Sequence, residues 1–155
     1  MNEQTAYPIV PGCVIDSLAG SGGMGTVYRA RYGDEARPVA VKVLHAGDAS
    51  LRERMQTEFR ILSRLEHPAL VRMHDFGYLD DGRPFFIMDW VEGAPLSAAF
   101  LRDGEGGIDA RRFATLVYDL TAALSFIHSQ HVTHGDLKPA NILMADGRPR
   151  IMDFG

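Results

Sequence analysis

Lysine is nearly missing from this chain of 155 residues. Sixteen residues are Lys or Arg, yet Lys42 and Lys138 are the only lysines. Cysteine is scarcer still: Cys13 is alone, so no disulfide can form within the chain, and a reducing compartment is the default. Cytoplasmic placement is the expectation that follows. There is no run of basic residues and the formal net charge is −4, which argues against a nucleic-acid partner. Apolar stretches are short and interrupted, so no membrane contact is expected from this segment. Residues Met1 to Tyr7 are polar and lack the basic-then-apolar order of a signal peptide. What remains is ordinary for a globular protein: 46% of the residues are hydrophobic and 23% charged. A complete domain of this length buries about 70% of its unfolded surface.

The two lysines carry more information than the fourteen arginines. An ammonium meets a phosphate as a compact point charge, whereas a guanidinium is a wide planar fork. Positions that keep lysine in a chain that otherwise uses arginine are candidates for phosphate chemistry.

The first half alternates like strands. Residues 13–19 and 26–32 flank a cluster of glycines, and Pro38-Val39-Ala40-Val41-Lys42-Val43-Leu44 is a third β-branched run. The period then changes. Ser50 with Glu53 three residues on is a capping-box pattern, and Leu51, Met55, Leu62 and Leu65 follow near helical spacing. His67-Pro68 should end that helix. Two further strands are expected over 70–76 and 84–91, joined through Asp80-Asp81-Gly82. At Glu92-Gly93-Ala94-Pro95 the strand pattern breaks, and a lobe boundary is expected there. Gly104 to Gly107 reads as a loop. Asp109 should cap a long helix, with Ile108 and Phe113 as its hydrophobic staple. Its apolar stripe is Phe113, Leu116, Val117, Leu120, Leu124 and Ile127. Residues 132–155 read as a loop and a hairpin turning at Asp146-Gly147.

Four motifs carry chemistry. The first, Leu18-Ala19-Gly20-Ser21-Gly22-Gly23-Met24-Gly25-Thr26-Val27, contains G-x-G-x-x-G. A dinucleotide-binding fold would follow it with a helix, but Thr26-Val27-Tyr28-Arg29-Ala30 alternates as a strand. A Walker loop would need Gly-Lys-Ser/Thr, which is missing. Taken alone the segment is either a plain glycine-rich hairpin or a loop whose backbone N–H groups approach phosphates. The second motif is Val39-Ala40-Val41-Lys42. The third is His134-Gly135-Asp136-Leu137-Lys138-Pro139-Ala140-Asn141. The fourth is Asp153-Phe154-Gly155, twelve residues after Asn141.

In this order and spacing the motifs resemble those of the serine/threonine protein kinases, of the bacterial eukaryotic-like (Hanks) type, over roughly residues 13–155. The resemblance implies an α+β, two-lobe kinase fold. Residues 1–12 would be an extension, 13–91 a β-rich N-lobe with one key helix and the hinge, and 92–155 the first part of a mainly helical C-lobe. It implies ATP and Mg2+ as cofactors, and transfer of the γ-phosphate to Ser/Thr hydroxyls of a protein substrate. Lys42 would contact the α- and β-phosphates, held by Glu58 on the following helix. Asp136 would take the acceptor's proton, Lys138 would meet the γ-phosphate, and Asn141 and Asp153 would hold metal. Leu18, Gly20, Ser21, Gly22, Gly23, Met24, Gly25, Thr26 and Val27 would cover the nucleotide. Ala40, Met88, Asp89, Val91 and Leu143 would surround its base. Leu62, Met73, His134 and Phe154 match an apolar column that couples the lobes. The Lys138-Pro139 pair is similar to the serine/threonine class.

Two departures stand out. Gly135 occupies the place of an arginine that binds a phosphorylated activation loop, so turnover is expected without that phosphate. The chain also ends at the motif that opens the activation segment, so a fragment is expected, with doubtful activity and low stability in isolation. The stripe on its long helix is then expected to be partly exposed and to meet a completing chain or a second copy. Two other readings stay open. A small-molecule kinase resembling the aminoglycoside phosphotransferases also carries H-G-D before an asparagine. A pseudokinase or binding module is the other. His128, His131 and His134 recur every third residue, but clustering without cysteine is weak evidence for a metal site.

Overall fold

The computed structural model describes residues 7–45, 49–98 and 109–154. The expected cap side chain of Ser50, the side chain of Leu51, the loop Gly104–Gly107, Ile108 and Gly155 lie outside the described residues. The chain divides into two compact units. One comprises residues 1–64 and 73–90, the other 65–72 and 91–155.

The first unit is a five-stranded antiparallel sheet and one helix. The strands are β1 (Cys13–Gly22), β2 (Gly25–Tyr32), β3 (Arg37–Leu44), β4 (Met73–Tyr78) and β5 (Pro84–Asp89), in the order β1-β2-β3-β5-β4. The β-branched run of β3 sits at the centre, as its burial on both faces requires. Val39, Val41 and Val43 pack with Ala30, Phe85 and Ile87 to form the core, which Val10 and Leu79 close. Helix α1 (Ala49–Leu62) lies against β4, where the rings of Phe59 and Phe76 stack 5.7 Å apart.

Two boundaries differ from the sequence reading. Helix α1 stops at Leu62 instead of running to Pro68, because the backbone tightens there: Arg64 N–H donates to Ile61 O. The apolar run 70–76 is shared between the units. Only its second half enters β4, while Leu70 forms a parallel bridge with Ile151. Val71 N–H donates to Ile151 O at 2.9 Å, and Ile151 N–H to Ala69 O at 2.8 Å. A continuous β-branched stretch does not say which sheet will claim each residue.

The second unit holds helix α2 (Ala110–Ser129) and a small antiparallel sheet of β6 (Ala94–Pro95), β7 (Ile142–Ala145) and β8 (Arg148–Ile151). Asp109 caps α2, its side chain accepting from Arg111 N–H. The buried face of α2 is Leu116, Asp119, Ala123 and Ile127. The stripe, expected to be partly exposed, is so at Phe113 and Val117, which are 51% and 42% exposed, but Leu116 is buried. An aspartate shares the buried face with it, which a purely apolar template misses.

Asp119 is buried because Arg148 of β8 meets it. Arg148 Nη2 donates to Oδ1 at 3.0 Å, and Nε lies 2.8 Å from Oδ2 without alignment good enough for a full hydrogen bond. The two partners are unequal: the Asp119 side chain is 7% exposed and that of Arg148 61%. Removing the arginine strands a buried carboxylate, whereas removing the aspartate releases a guanidinium already half in water. Arg148→Ala should therefore cost about 3 kcal/mol, and Asp119→Ala about 1 kcal/mol, by urea unfolding. Equal losses, or a larger loss for Asp119→Ala, would show that the buried charge does not set the energetics.

Candidate active site

The glycine motif is mostly strand. β1 and β2 pair through Ser21↔Thr26 and Gly22↔Gly25, leaving only Gly23-Met24 as the turn. The Ser21 and Thr26 hydroxyls lie 3.2 Å apart across it. Gly25 is required by packing, since a Cβ there would stand 2.4 Å from Val43 O of β3. Gly20, Gly22 and Gly23 differ. None has a positive φ, and a Cβ on any of them would meet no atom within 4 Å. Backbone geometry and protein packing thus account for Gly25 but not for the other three. Leu18 and Met24 are exposed at 55% and 67%.

The sheet gathers several other candidates in the first unit. Lys42 and Ala40 share one face of β3, two residues apart. Lys42 is paired in register with Val27 on β2 and Phe86 on β5, and Ala40 with Met88 on β5. Ala40 and Met88 are buried, and Lys42 is half-buried. Glu58 is half-buried on α1, and Asp89 ends β5 opposite Val39. Val91 and Leu143, both half-buried, belong to the second unit.

The second unit brings Asp136, Lys138 and Asn141 together. Lys138 Nζ donates to Asp136 Oδ2 at 2.7 Å. Asn141 Nδ2 donates to the same Oδ2 at 3.0 Å and to Asp136 O at 2.8 Å. Local chain geometry makes this possible. Pro139 opens a single 3-10 turn, Pro139–Asn141, closed by Asn141 N–H to Lys138 O and Ile142 N–H to Pro139 O, so Asn141 is folded back onto the aspartate. The Lys138 ammonium beside Asp136 holds that carboxyl below its ordinary value, and the Asn141 bond adds to the effect. The carboxylate is therefore ionised at neutral pH.

His134 is buried and used on both nitrogens. Nε2–H donates to Met152 O at 2.9 Å, and Nδ1 accepts from Asp136 N–H at 3.3 Å. These partners assign the tautomer. Met152 N–H in turn donates to Asn141 O at 2.9 Å. The residue before Asp153 is thus held through both its N–H and its carbonyl by the segment that carries Asp136 and Asn141. Asp153 itself has φ +54, a left-handed conformation uncommon for a non-glycine residue, and such residues cluster at functional sites. The Phe154 ring packs on His134 at 4.7 Å. Gly135 has φ +78, which glycine takes without strain. Sequence reasoning could not find Met152, because its part is played by backbone atoms that any residue supplies.

The donor chemistry fits a hard divalent cation. Asn141 spends its amide nitrogen on Asp136, which leaves a carbonyl oxygen as its acceptor, and Asp153 supplies a carboxylate. Among the described residues no three His, Cys, Asp or Glu side chains converge as a metal cage. Mg2+ does not need one, since it is commonly held by one or two protein oxygens with phosphate and water. His128 and His131 are exposed, apart in role from buried His134.

A family model for the protein kinase domain matches residues 14–155, and the chain belongs to the protein kinase family. Its relatives are bacterial serine/threonine kinases. It is 40% identical to the DNA damage-responsive serine/threonine-protein kinase RqkA of Deinococcus radiodurans, over 96% of this chain and 23% of that protein. It is 39% identical to the serine/threonine-protein kinase PknH of Mycobacterium tuberculosis, over 89% of this chain and 22% of that protein. The crystal structure of the M. tuberculosis PknI kinase domain superposes with a TM-score of 0.82 at 28% identity, covering 93% of this chain and 58% of that one. The chain thus spans about a quarter or less of the curated relatives it matches. No helix among the described residues is long and apolar enough to cross a membrane.

Two outcomes follow from this geometry. Gly25→Ala should lower stability by about 1–3 kcal/mol through overpacking, while Gly22→Ala leaves the melting temperature unchanged. Thermal melts of both variants check the contrast. Lys138→Ala should move the Asp136 carboxyl titration upward towards its ordinary value, as followed by NMR; an unmoved titration would mean that the ammonium does not depress it.

Proposed function

We propose that the protein is an ATP-dependent phosphotransferase acting on Ser/Thr hydroxyls of proteins. The observation that carries this reading is the bond set of Asp136. Its Oδ2 is taken by Lys138 and Asn141, and in this reading Oδ1 is the oxygen that meets an acceptor hydroxyl. The hydroxyl oxygen attacks the γ-phosphorus, its bond to the bridging oxygen breaks, ADP leaves, and the acceptor's proton passes to Asp136. A carboxylate held below its ordinary value is a weak base. That suits phosphoryl transfer, where positioning and charge stabilisation outweigh early proton removal. Lys138 carries positive charge to the transferring group.

In this reading Lys42, held by Glu58, contacts the α- and β-phosphates. Gly20, Gly22 and Gly23 leave room for phosphate where a side chain would intrude, which explains three glycines that packing does not require. Leu18, Val27, Ala40, Met88, Asp89, Val91 and Leu143 serve the base. Mg2+, held by Asn141 and Asp153, would supply positive charge that neutralises the phosphates. That the relatives are serine/threonine-protein kinases favours a protein substrate over a small molecule. With Gly135 where an arginine would bind an activation-loop phosphate, turnover does not depend on that phosphate.

The test is ATP binding with and without magnesium, on wild type and on Lys42→Met and Asp153→Asn. Magnesium-dependent binding that is lost by about tenfold or more in both variants is the expected result. A soluble wild-type protein that binds no nucleotide, or variants that bind as well as wild type, would defeat the reading.

A further inference from the structure

Strand β4 is not regular. Met73 pairs with Met88 and Asp75 with Ile87, so His74 is the extra residue of a bulge. Bulges re-aim a side chain, and this one turns the imidazole onto the end of the neighbouring strand. His74 Nε2 lies 2.6 Å from Asp89 Oδ1, with the histidine side chain only 10% exposed. Arg37, the first residue of β3, sets Nη1 at 3.3 Å from Nδ1 and 3.5 Å from Nε2 of the same ring. Near-equal distances mean that the guanidinium lies alongside the imidazole instead of in line with one lone pair. The ring is wedged between a cation from β3 and a carboxylate from β5. Asp75, next in sequence, does not compete for it: its Oδ2 accepts from Tyr32 OH and its Oδ1 from Phe76 N–H.

The following residue is gripped as well. The Arg29 guanidinium of β2 stands 5.0 Å from the Trp90 ring centre. Two successive residues, Asp89 and Trp90, are therefore each tied by a side chain from a different strand of the first unit.

We infer that His74 is a positioning residue for nucleotide binding: by bonding Asp89 it fixes the backbone at the end of β5 that is offered to the base. The inference rests on the phosphotransferase reading, which gives Asp89 and Val91 to the base. His74 touches no substrate in this account. It acts through Asp89, and its essential property is a donor at the reach of Nε2.

That property separates positioning from simple packing. His74→Gln keeps a donor at similar reach, and His74→Phe keeps the bulk but has none. Binding of magnesium ADP to the intact protein is measured by calorimetry for wild type and both variants, alongside melting without nucleotide. The expected result is a dissociation constant raised about fivefold in His74→Phe and restored to within about twofold in His74→Gln. Phe and wild-type proteins binding alike would overturn the inference, as would Gln and Phe variants weakened together. Should the Phe variant not fold, His74→Asn, whose amide is too short to reach Asp89, replaces it in the same comparison. A wild type that binds no magnesium ADP would overturn the nucleotide reading and this inference with it. A binding wild type with no contrast among variants would overturn this inference alone.

Discussion

The backbone of Met152 is the point on which the second unit's chemistry depends. Its N–H is given to Asn141 O and its carbonyl is taken by the buried His134 ring. Each bond is an ordinary one, with a net contribution of about 1 kcal/mol. Their effect lies in geometry. They join the end of β8 to the turn that carries Asn141, and through the other nitrogen of His134 to the backbone of Asp136. His134, Asp136 and Asn141 share one hydrogen-bonded frame with the backbone of Met152. Asp153, which follows directly, adopts its left-handed conformation against that fixed backbone.

The first unit solves a different problem. A half-buried lysine must be presented from the centre of a sheet without being lost into its core. The strand does this by alternation. Val39, Val41 and Val43 face the packed side, while Ala40 and Lys42 face the other. Ala40 and Lys42 thus share one face of the strand, the alanine buried and the lysine half-buried. The buried pairing of Ala40 with Met88 carries that surface onto β5.

Much of this was legible in the sequence, for identifiable reasons. Local signals succeeded where a residue type has few alternatives. The Asp109 cap, the Asp146-Gly147 turn and the contrast of β-branched runs with helical spacing each fix structure within a few residues. The grouping of Asp136, Lys138 and Asn141 was also readable, because a turn opened by proline brings positions five apart together. Failures came where the deciding partner is distant. Leu70 was read as strand with Met73, but Ile151 claims it. Asp119 was unreadable as buried because its partner, Arg148, lies 29 residues on. The bulge at His74 leaves no mark in a period-two pattern, since one extra residue in a short strand mimics a boundary.

Trp90 is the only tryptophan in the chain, and it stands under a cation at the end of β5. Indole emission depends on nearby charge and solvent. The molecule thus contains one built-in optical reporter, located where the Arg29 guanidinium reaches it from β2. Any event that loosens Arg29 from the ring is written directly into the emission spectrum, with no label and no second tryptophan to dilute it.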